Sequence, residues 1–174
     1  MDSITIKKAS LSSGMGLNVI YTQKEKDGTI TEITRSCSSP VHEDMTKQFD
    51  KLNIHLGVIS EFIPHDDIEN IENPKHDLLE TFKVKEFEIV DSDSGVKISG
   101  SHRLSTGKKL SLKTPAIKWN DKKPYWFSSD LATVIEGCKH EIIQYLFHGK
   151  RAPELQQEFE FGEDNPTPDA VADE

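Results

Sequence analysis

Apolar residues recur at helical spacing in two stretches of the chain. After Ser128, the residues Leu131, Val134, Ile135, Cys138, Ile142, Tyr145 and Leu146 follow one another at steps of mostly three and four, with Glu136, Lys139, His140, Glu141 and Gln144 largely between them. That pattern predicts an amphipathic helix with one buried face. Ser128, Ser129 or Asp130 can cap its amino end through a side-chain oxygen, Gly149 with Lys150 and Arg151 suits its carboxyl end, and Pro153 stops it. Earlier, after Pro40, the residues Met45, Phe49, Leu52, Leu56 and Ile59 step by four, three, four and three, which predicts a second helix. His42 and His55 lie near this helix with no third ligand at metal spacing, so each is expected to be a capping, surface or packed histidine.

The remaining apolar positions read as strands. Ile4, Ile6 and Leu11 fall on a first, Leu17 to Tyr21 on a second and Thr29 to Thr34 on a third, with Lys26-Asp27-Gly28 as a turn. The second half follows the same order. Phe82, Val84, Phe87 and Ile89 form a strand, Gly95 to Ser99 another, and Gly107 turns into Leu110-Ser111-Leu112 before the helix after Ser129. Gly16 and Gly28 are twelve residues apart, as are Gly95 and Gly107. The expectation is an α+β protein made of two β-β-β-α units, residues 1–63 and 81–151, joined by an acidic connector, 64–80, and followed by an acidic flexible tail, 152–174. Two such units would pair about a pseudo-twofold axis, as one continuous antiparallel sheet with both helices on one face or as two abutting sheets.

Composition adds little to that picture, and charge adds more. The 174 residues are 34% hydrophobic and 29% charged, ordinary for a globular protein. No apolar run approaches the roughly 18 residues of a membrane span, and Met1-Asp2-Ser3 lacks a basic, apolar signal segment. A cytoplasmic protein without membrane contact is expected. Cys37 and Cys138 are too far apart to suggest a zinc spacing or a disulfide framework and are expected to be reduced thiols. The net charge is −9, but Ala152 onward holds eight acids and no base, leaving 22 acids against 21 bases before it. The acidity belongs to the tail.

The reverse imbalance lies between Lys97 and Phe127. There Lys97, Arg103, Lys108, Lys109, Lys113, Lys118, Lys122 and Lys123 meet the single acid Asp121, and Trp119, Tyr125, Trp126 and Phe127 are interleaved near the end. Cations that track phosphates beside aromatics that stack on bases are what single-stranded nucleic acid requires. Arg103, Lys108, Lys109, Lys113, Lys118, Trp119, Lys122, Lys123 and Trp126 are therefore the candidate nucleic-acid contacts. Lysine is also common on exposed strand positions, and a Pro-Tyr-Trp-Phe run ahead of a helix also serves as a core plug. The connector from Pro64 to Asp77 is dense in carboxylates and imidazoles, but no fixed spacing makes a metal site of it, and no metal or other cofactor is expected.

Two local resemblances stand beside these readings. Tyr145-Leu146-Phe147-His148-Gly149-Lys150-Arg151-Ala152 and the Gln-rich segment after it resemble the end of a widespread group of small phage-encoded proteins of unknown function, many of which end in Gly-Lys-Arg-Ala-Gln and a Leu-x-Leu-Phe-like tail. Pro40 to Leu56 resembles the His-Pro-Asp helix of that group. The resemblance implies no particular activity. Separately, Gln156-Gln157-Glu158-Phe159-Glu160-Phe161 resembles the bacterial sliding-clamp-binding peptide, roughly Gln-x-x-Leu-x-Phe, with Phe159 in place of the usual Leu. It implies a replication partner held by Gln156, Phe159 and Phe161.

Motifs for catalysis are missing from the sequence. Ser12-Ser13-Gly14-Met15-Gly16 lacks the Lys-Ser/Thr of a phosphate loop, and neither His-Glu-x-x-His nor Gly-x-Ser-x-Gly occurs. His65-Asp66-Asp67 stands alone. The expected function is a non-enzymatic, phage-type accessory protein of DNA metabolism that binds single-stranded nucleic acid, a replication partner, or both. An inhibitor that binds a host defence factor or sequesters a small ligand is the alternative.

Overall fold

A computed structural model of the chain describes residues 3–153. Tight turns separate the strands β1 (Ser3–Leu11), β2 (Leu17–Lys24) and β3 (Ile30–Cys37). At the β2–β3 turn Gly28 adopts φ +88, and the Asp27 carboxylate accepts the Thr29 N–H at 2.8 Å. Two short helices follow, α1 (Glu43–Asp50) and α2 (Asn53–Ile59), then β4 (Phe82–Val90), β5 (Gly95–Arg103), β6 (Lys109–Lys113), β7 (Ile117–Lys118) and a long helix α3 (Ser128–Phe147). The connector between α2 and β4 holds two short 3-10 turns, His65–Asp67 and Leu79–Thr81.

The fold is α+β. All seven strands join one antiparallel sheet in the order β3-β2-β1-β4-β5-β6, and β7 pairs with the part of β5 that β6 leaves open. β2, β4 and β5 bury alternate residues over most of their length, so the sheet turns an apolar face to the helices and a largely polar one away from them, while the edge strands β3 and β6 bury no residue. Leu17, Val19 and Tyr21 of β2 are buried, as are Val96, Ile98 and His102 of β5. Strict alternation would send Ile6 and Ala9 of β1 to opposite faces, and likewise Val84 and Phe87 of β4. A bulge between Ile6 and Lys8 and another between Val84 and Glu86 correct the phase, and all four residues are buried together.

Against this face pack Met45, Phe49, Leu52 and Leu56 from the first helical stretch and Leu131, Ile135, Cys138, Ile142 and Tyr145 from α3. The Phe49 and Phe87 ring centroids are 5.7 Å apart, and the Tyr145 hydroxyl donates to the Ser39 carbonyl at 2.6 Å. Each such aliphatic or aromatic side chain contributes on the order of 1.5–3 kcal/mol by leaving water. Burial also pushes the Cys138 thiol up to about 12, far from a reactive thiolate.

Three local expectations need correction. The single helix over Met45 to Ile59 is two, because Leu52 N–H bonds the Phe49 carbonyl three residues back and tightens the turn. Asn53 then starts α2 and its Oδ1 accepts the Val84 N–H, beside the β4 bulge, at 2.8 Å. None of Ser128, Ser129 and Asp130 caps α3. Phe127, buried in the core, sits at the cap, and the Ser128 N–H donates to the Tyr125 carbonyl instead. Finally, the face of α3 is less purely apolar than its spacing predicts. Lys139 and Glu141 are both buried, Lys139 bonded to Asp93 and Glu136 at 2.9 and 2.7 Å, and Glu141 to Lys150 at 2.8 Å. The histidines are placed as expected: His42 Nδ1 accepts the Asp44 N–H to cap α1, and His55 is buried. Among the described residues no helix is long and apolar enough to cross a membrane.

Candidate nucleic-acid interface

Strand register decides which cations share a surface. Residues paired across antiparallel strands point to the same face. Lys97 is paired with Glu88, Lys113 with Ser99, Lys109 with Arg103 and Lys118 with Gly95. On β5, Gly95, Lys97, Ser99 and Arg103 alternate with the buried Val96, Ile98 and His102, so they and their cross-strand partners lie on the face that no helix covers. β5, β6 and β7 thus place Lys97, Arg103, Lys109, Lys113 and Lys118 on one open surface, with Ser99, Ser101 and Ser111 between them and no acid on these strands. Among the described residues only Lys118 of this set is in a salt bridge, to Asp91 at 2.9 Å.

The outer edge of this surface is broken and re-aimed. Pro115 has no N–H for the ladder, and the buried Thr114 restores the pairing by donating its own N–H to the Ile98 carbonyl while its hydroxyl accepts the Ile98 N–H, both at 3.0 Å. β7 then returns to β5. Gly95 is required there, because a Cβ would collide with the Ile117 carbonyl. The β4–β5 turn is strained, with Asp91, Ser92 and Asp93 at φ 44, 54 and 73. Lys118 holds Asp91 and Lys139 holds Asp93, which ties the turn to β7 and to α3. The Lys118 ammonium beside it keeps the Asp91 carboxyl below the usual carboxylate range.

Beside β7 a groove of about 530 Å³ opens, lined by Ile63, His65, Ile117, Lys118, Lys123 and Trp126 among others. Trp126 is 72% exposed and lies against the His65 ring, centroids 4.7 Å apart. Its neighbours turn inward. Phe127 is buried, and the Tyr125 hydroxyl and His55 Nδ1 are hydrogen-bonded at 3.0 Å. Burial alone lowers the His55 pKa to about 4, so the ring is neutral at pH 7.

The sequence-derived candidates therefore divide. Arg103, Lys109, Lys113 and Lys118 share the open sheet face. Lys108 follows Gly107 in the β5–β6 turn, where its carbonyl accepts the Leu104 N–H at 2.8 Å. Lys122 and Lys123 are exposed in the loop after β7, Lys123 on the groove. Trp126 is on the groove rim, whereas Trp119 is half-buried and packs against the core on the helix side. Gln156, Phe159 and Phe161 lie outside the described residues. Sequence reasoning did not single out Lys97 or the three serines as contacts, nor His65. The signal for the first four was the two-residue alternation of β5 and β6, which separates Lys97, Ser99, Ser101 and Arg103 from Val96, Ile98 and His102. No local signal brings His65 to Trp126, since a whole half of the sheet separates them in sequence.

The connector carboxylates and imidazoles pair locally, His65 with Asp66 at 3.0 Å and His76 with Asp67 at 3.5 Å. Among the described residues no three His, Cys, Asp or Glu side chains converge as a metal-ligand set. No family model, curated protein or solved structure matches the chain.

Proposed function

We propose that the chain is a non-enzymatic accessory protein that binds single-stranded nucleic acid on the open face of β5–β7. The observation that carries this reading is the register that gathers Lys97, Arg103, Lys109, Lys113 and Lys118 on a helix-free surface, spaced by small hydroxyl residues. A strand crossing it meets phosphate-binding cations along its backbone. Lys118 lines both this face and the groove, so the same strand reaches the exposed Trp126, where a base can stack. The strand order about the central β1–β4 pair supports the further reading that the two halves are copies of one β-β-β-helix unit. In this reading the chain is a phage-type protein of DNA metabolism, like the group its Gly149-Lys150-Arg151-Ala152 stretch resembles. The Gln156–Phe161 stretch then serves as a sliding-clamp peptide; a chain with Phe159→Ala and Phe161→Ala that still co-elutes with a bacterial clamp would exclude that part.

The test is the fluorescence anisotropy of a labelled oligodeoxythymidylate titrated with the full chain. With Lys118 held by Asp91, the other four cations give a logarithmic salt slope of about −2.8 on a single strand, or roughly a fiftyfold loss of affinity between about 50 and 200 mM salt. Binding that is insensitive to salt removes the interface as drawn. So does the absence of binding at low salt both in the native chain and in a full-length chain whose tail acids are changed to amides.

A further inference from the structure

The same chain carries a segment of opposite charge to the open basic face. The last described residues are anchored at the opposite half of the sheet. Arg151 bridges to Val41, the Ala152 N–H donates to the Pro40 carbonyl at 3.1 Å, and the Val41 N–H donates to the Met15 carbonyl in the β1–β2 turn. The last described residues, through Pro153, thus lie near the start of β2. The sheet pairing carries that end of the molecule straight across to the cations: Asn18 pairs with Ser10, Ser10 with Glu86, Glu86 with Ser99 and Ser99 with Lys113.

The distance is short for a segment of this length. Four strand spacings of about 4.8 Å and a passage of about 10 Å to the other face make roughly 30 Å, which nine or ten extended residues cover. Beyond that reach come Glu163, Asp164, Asp169, Asp173 and Glu174, five carboxylates without a base among them. The face they meet carries five cations.

We propose that this acidic end docks on the β5–β7 face of its own chain and competes there with nucleic acid, its carboxylates lying where phosphates would. The competition rests on the nucleic-acid reading of that face; the docking rests only on charge and reach. A tethered segment acts at an effective concentration in the millimolar range. If its intrinsic affinity is that of weak, non-specific polyanion binding, near 0.1 mM, it occupies the face about ten to one and weakens an oligonucleotide about tenfold at low salt. Above roughly 1 M salt, where screening acts within about 3 Å, the effect disappears.

The experiment compares the full chain with a full-length variant carrying Glu163→Gln, Asp164→Asn, Asp169→Asn, Asp173→Asn and Glu174→Gln. Lysine acetylation rates are read residue by residue by mass spectrometry, and oligonucleotide affinity by anisotropy, both at low salt. The expected result is several-fold faster acetylation of Lys97, Lys109, Lys113 and Lys118 in the variant, unchanged rates at the exposed Lys26 and Lys75, and about tenfold tighter oligonucleotide binding. Unchanged rates at the four face lysines overturn the docking, whatever the oligonucleotide does. Faster acetylation with equal oligonucleotide affinity overturns the competition. Faster acetylation with no oligonucleotide binding by either chain leaves the docking standing and removes the nucleic-acid reading instead. Protection that grows with protein concentration assigns the face to the tail of a second copy and overturns the intramolecular form.

Discussion

The two halves of the open sheet face differ most in their charge. On β1–β3 it presents Thr5, Ser10, Asn18, Thr22, Thr34 and Ser36 with two isoleucines, Ile20 and the exposed Ile30, and Lys8, Lys24 and Glu32 are its strand charges. On β5–β7 it presents serines again, but with five cations and no acid. Under the helices the halves do not differ in kind: Leu17, Val19 and Tyr21 do for β2 what Val96 and Ile98 do for β5. Packing fixes the covered face and leaves the open one free, so a charge bias confined to one half of the open face is not demanded by the fold. Between the halves, β4 carries Glu86 and Glu88; Glu86 holds Lys8 at 3.2 Å and Glu88 is paired with Lys97. The positive surface begins beyond that row.

Reversing the bias is the strongest way to break this comparison. Lys97→Glu, Lys109→Glu and Lys113→Glu together should weaken oligonucleotide binding at low salt on the order of a hundredfold or more. Thr5→Glu, Thr22→Glu and Thr34→Glu on the other half add the same number of acids and should cost only a few-fold through longer-range repulsion. Equal losses from the two triple variants would mean that net charge, not the β5–β7 face, governs binding. Both variants set acids opposite one another, Thr5→Glu against Thr22→Glu and Lys97→Glu against Glu88, so the melting temperature should fall modestly in each while far-UV circular dichroism stays native.

A pH titration tests what the basic half stands on. Tyr125 anchors the approach to Trp126 on the buried His55, whose pKa is lowered from the ordinary 6.5 to about 4. The unfolded chain protonates this histidine below pH 6.5 while the folded one does not. Its contribution is therefore fully present above pH 6.5 and is lost as the pH falls toward 4, by up to about 3 kcal/mol. Urea unfolding between pH 6.5 and 5, above most carboxylate titrations, should capture about 1.5 kcal/mol of it. A His55→Gln chain should lack that loss, and a native chain equally stable at both values would show that the ring is not held neutral.

The two tryptophans separate surface from core on the same half. Trp126, 72% exposed on the groove, should lose a stacking contribution of about 1–3 kcal/mol in oligonucleotide binding when changed to Ala, with the melting temperature unchanged. Trp119, packed against the core, should do the opposite: Trp119→Ala should destabilise the fold by about 2–4 kcal/mol and leave the affinity of the folded fraction intact. Equal behaviour of the two in either assay contradicts their placement.

How far this surface could be read from the sequence follows from what each element depends on. The stripes Met45-Phe49-Leu52-Leu56 and Leu131-Ile135-Cys138-Ile142 are local, and period alone predicts the helices that bury them. Glycines and alternating apolar residues likewise locate six of the seven strands. β7, two residues long, is defined only by its pairing with Gly95 and Val96. The bulge in β1 hides Ala9 from the alternation that reveals Ile4 and Ile6. The strand charges were visible as a basic segment, but their common face was not, because it depends on register across β4, β5 and β6. The aromatics of the same segment were read as neighbours of those cations. In the fold, Trp119, just past the end of β7, packs against the core, and Trp126, in the turn before α3, stays exposed; neither is in a strand, so no period in the sequence separates them.

The finest distinction lies between two lysines of the basic half. Lys113 has no salt-bridge partner among the described residues, whereas Lys118 is held by Asp91 at 2.9 Å, which raises the Lys118 pKa. A phosphate that meets Lys113 displaces counterions from the nucleic acid against a cation free to neutralise it, so Lys113→Ala should flatten the logarithmic salt slope by about 0.7. At Lys118 the incoming phosphate must compete with the Asp91 carboxylate, and the net charge that the pair offers is near zero. Lys118→Ala should therefore change the slope by much less, while Asp91→Asn, which frees the ammonium, should steepen it by up to about 0.7. Slopes measured by anisotropy between about 50 and 200 mM salt resolve the three variants. An Asp91→Asn chain with the native slope would place Lys118 outside the path of the bound strand and end the interface at Lys113.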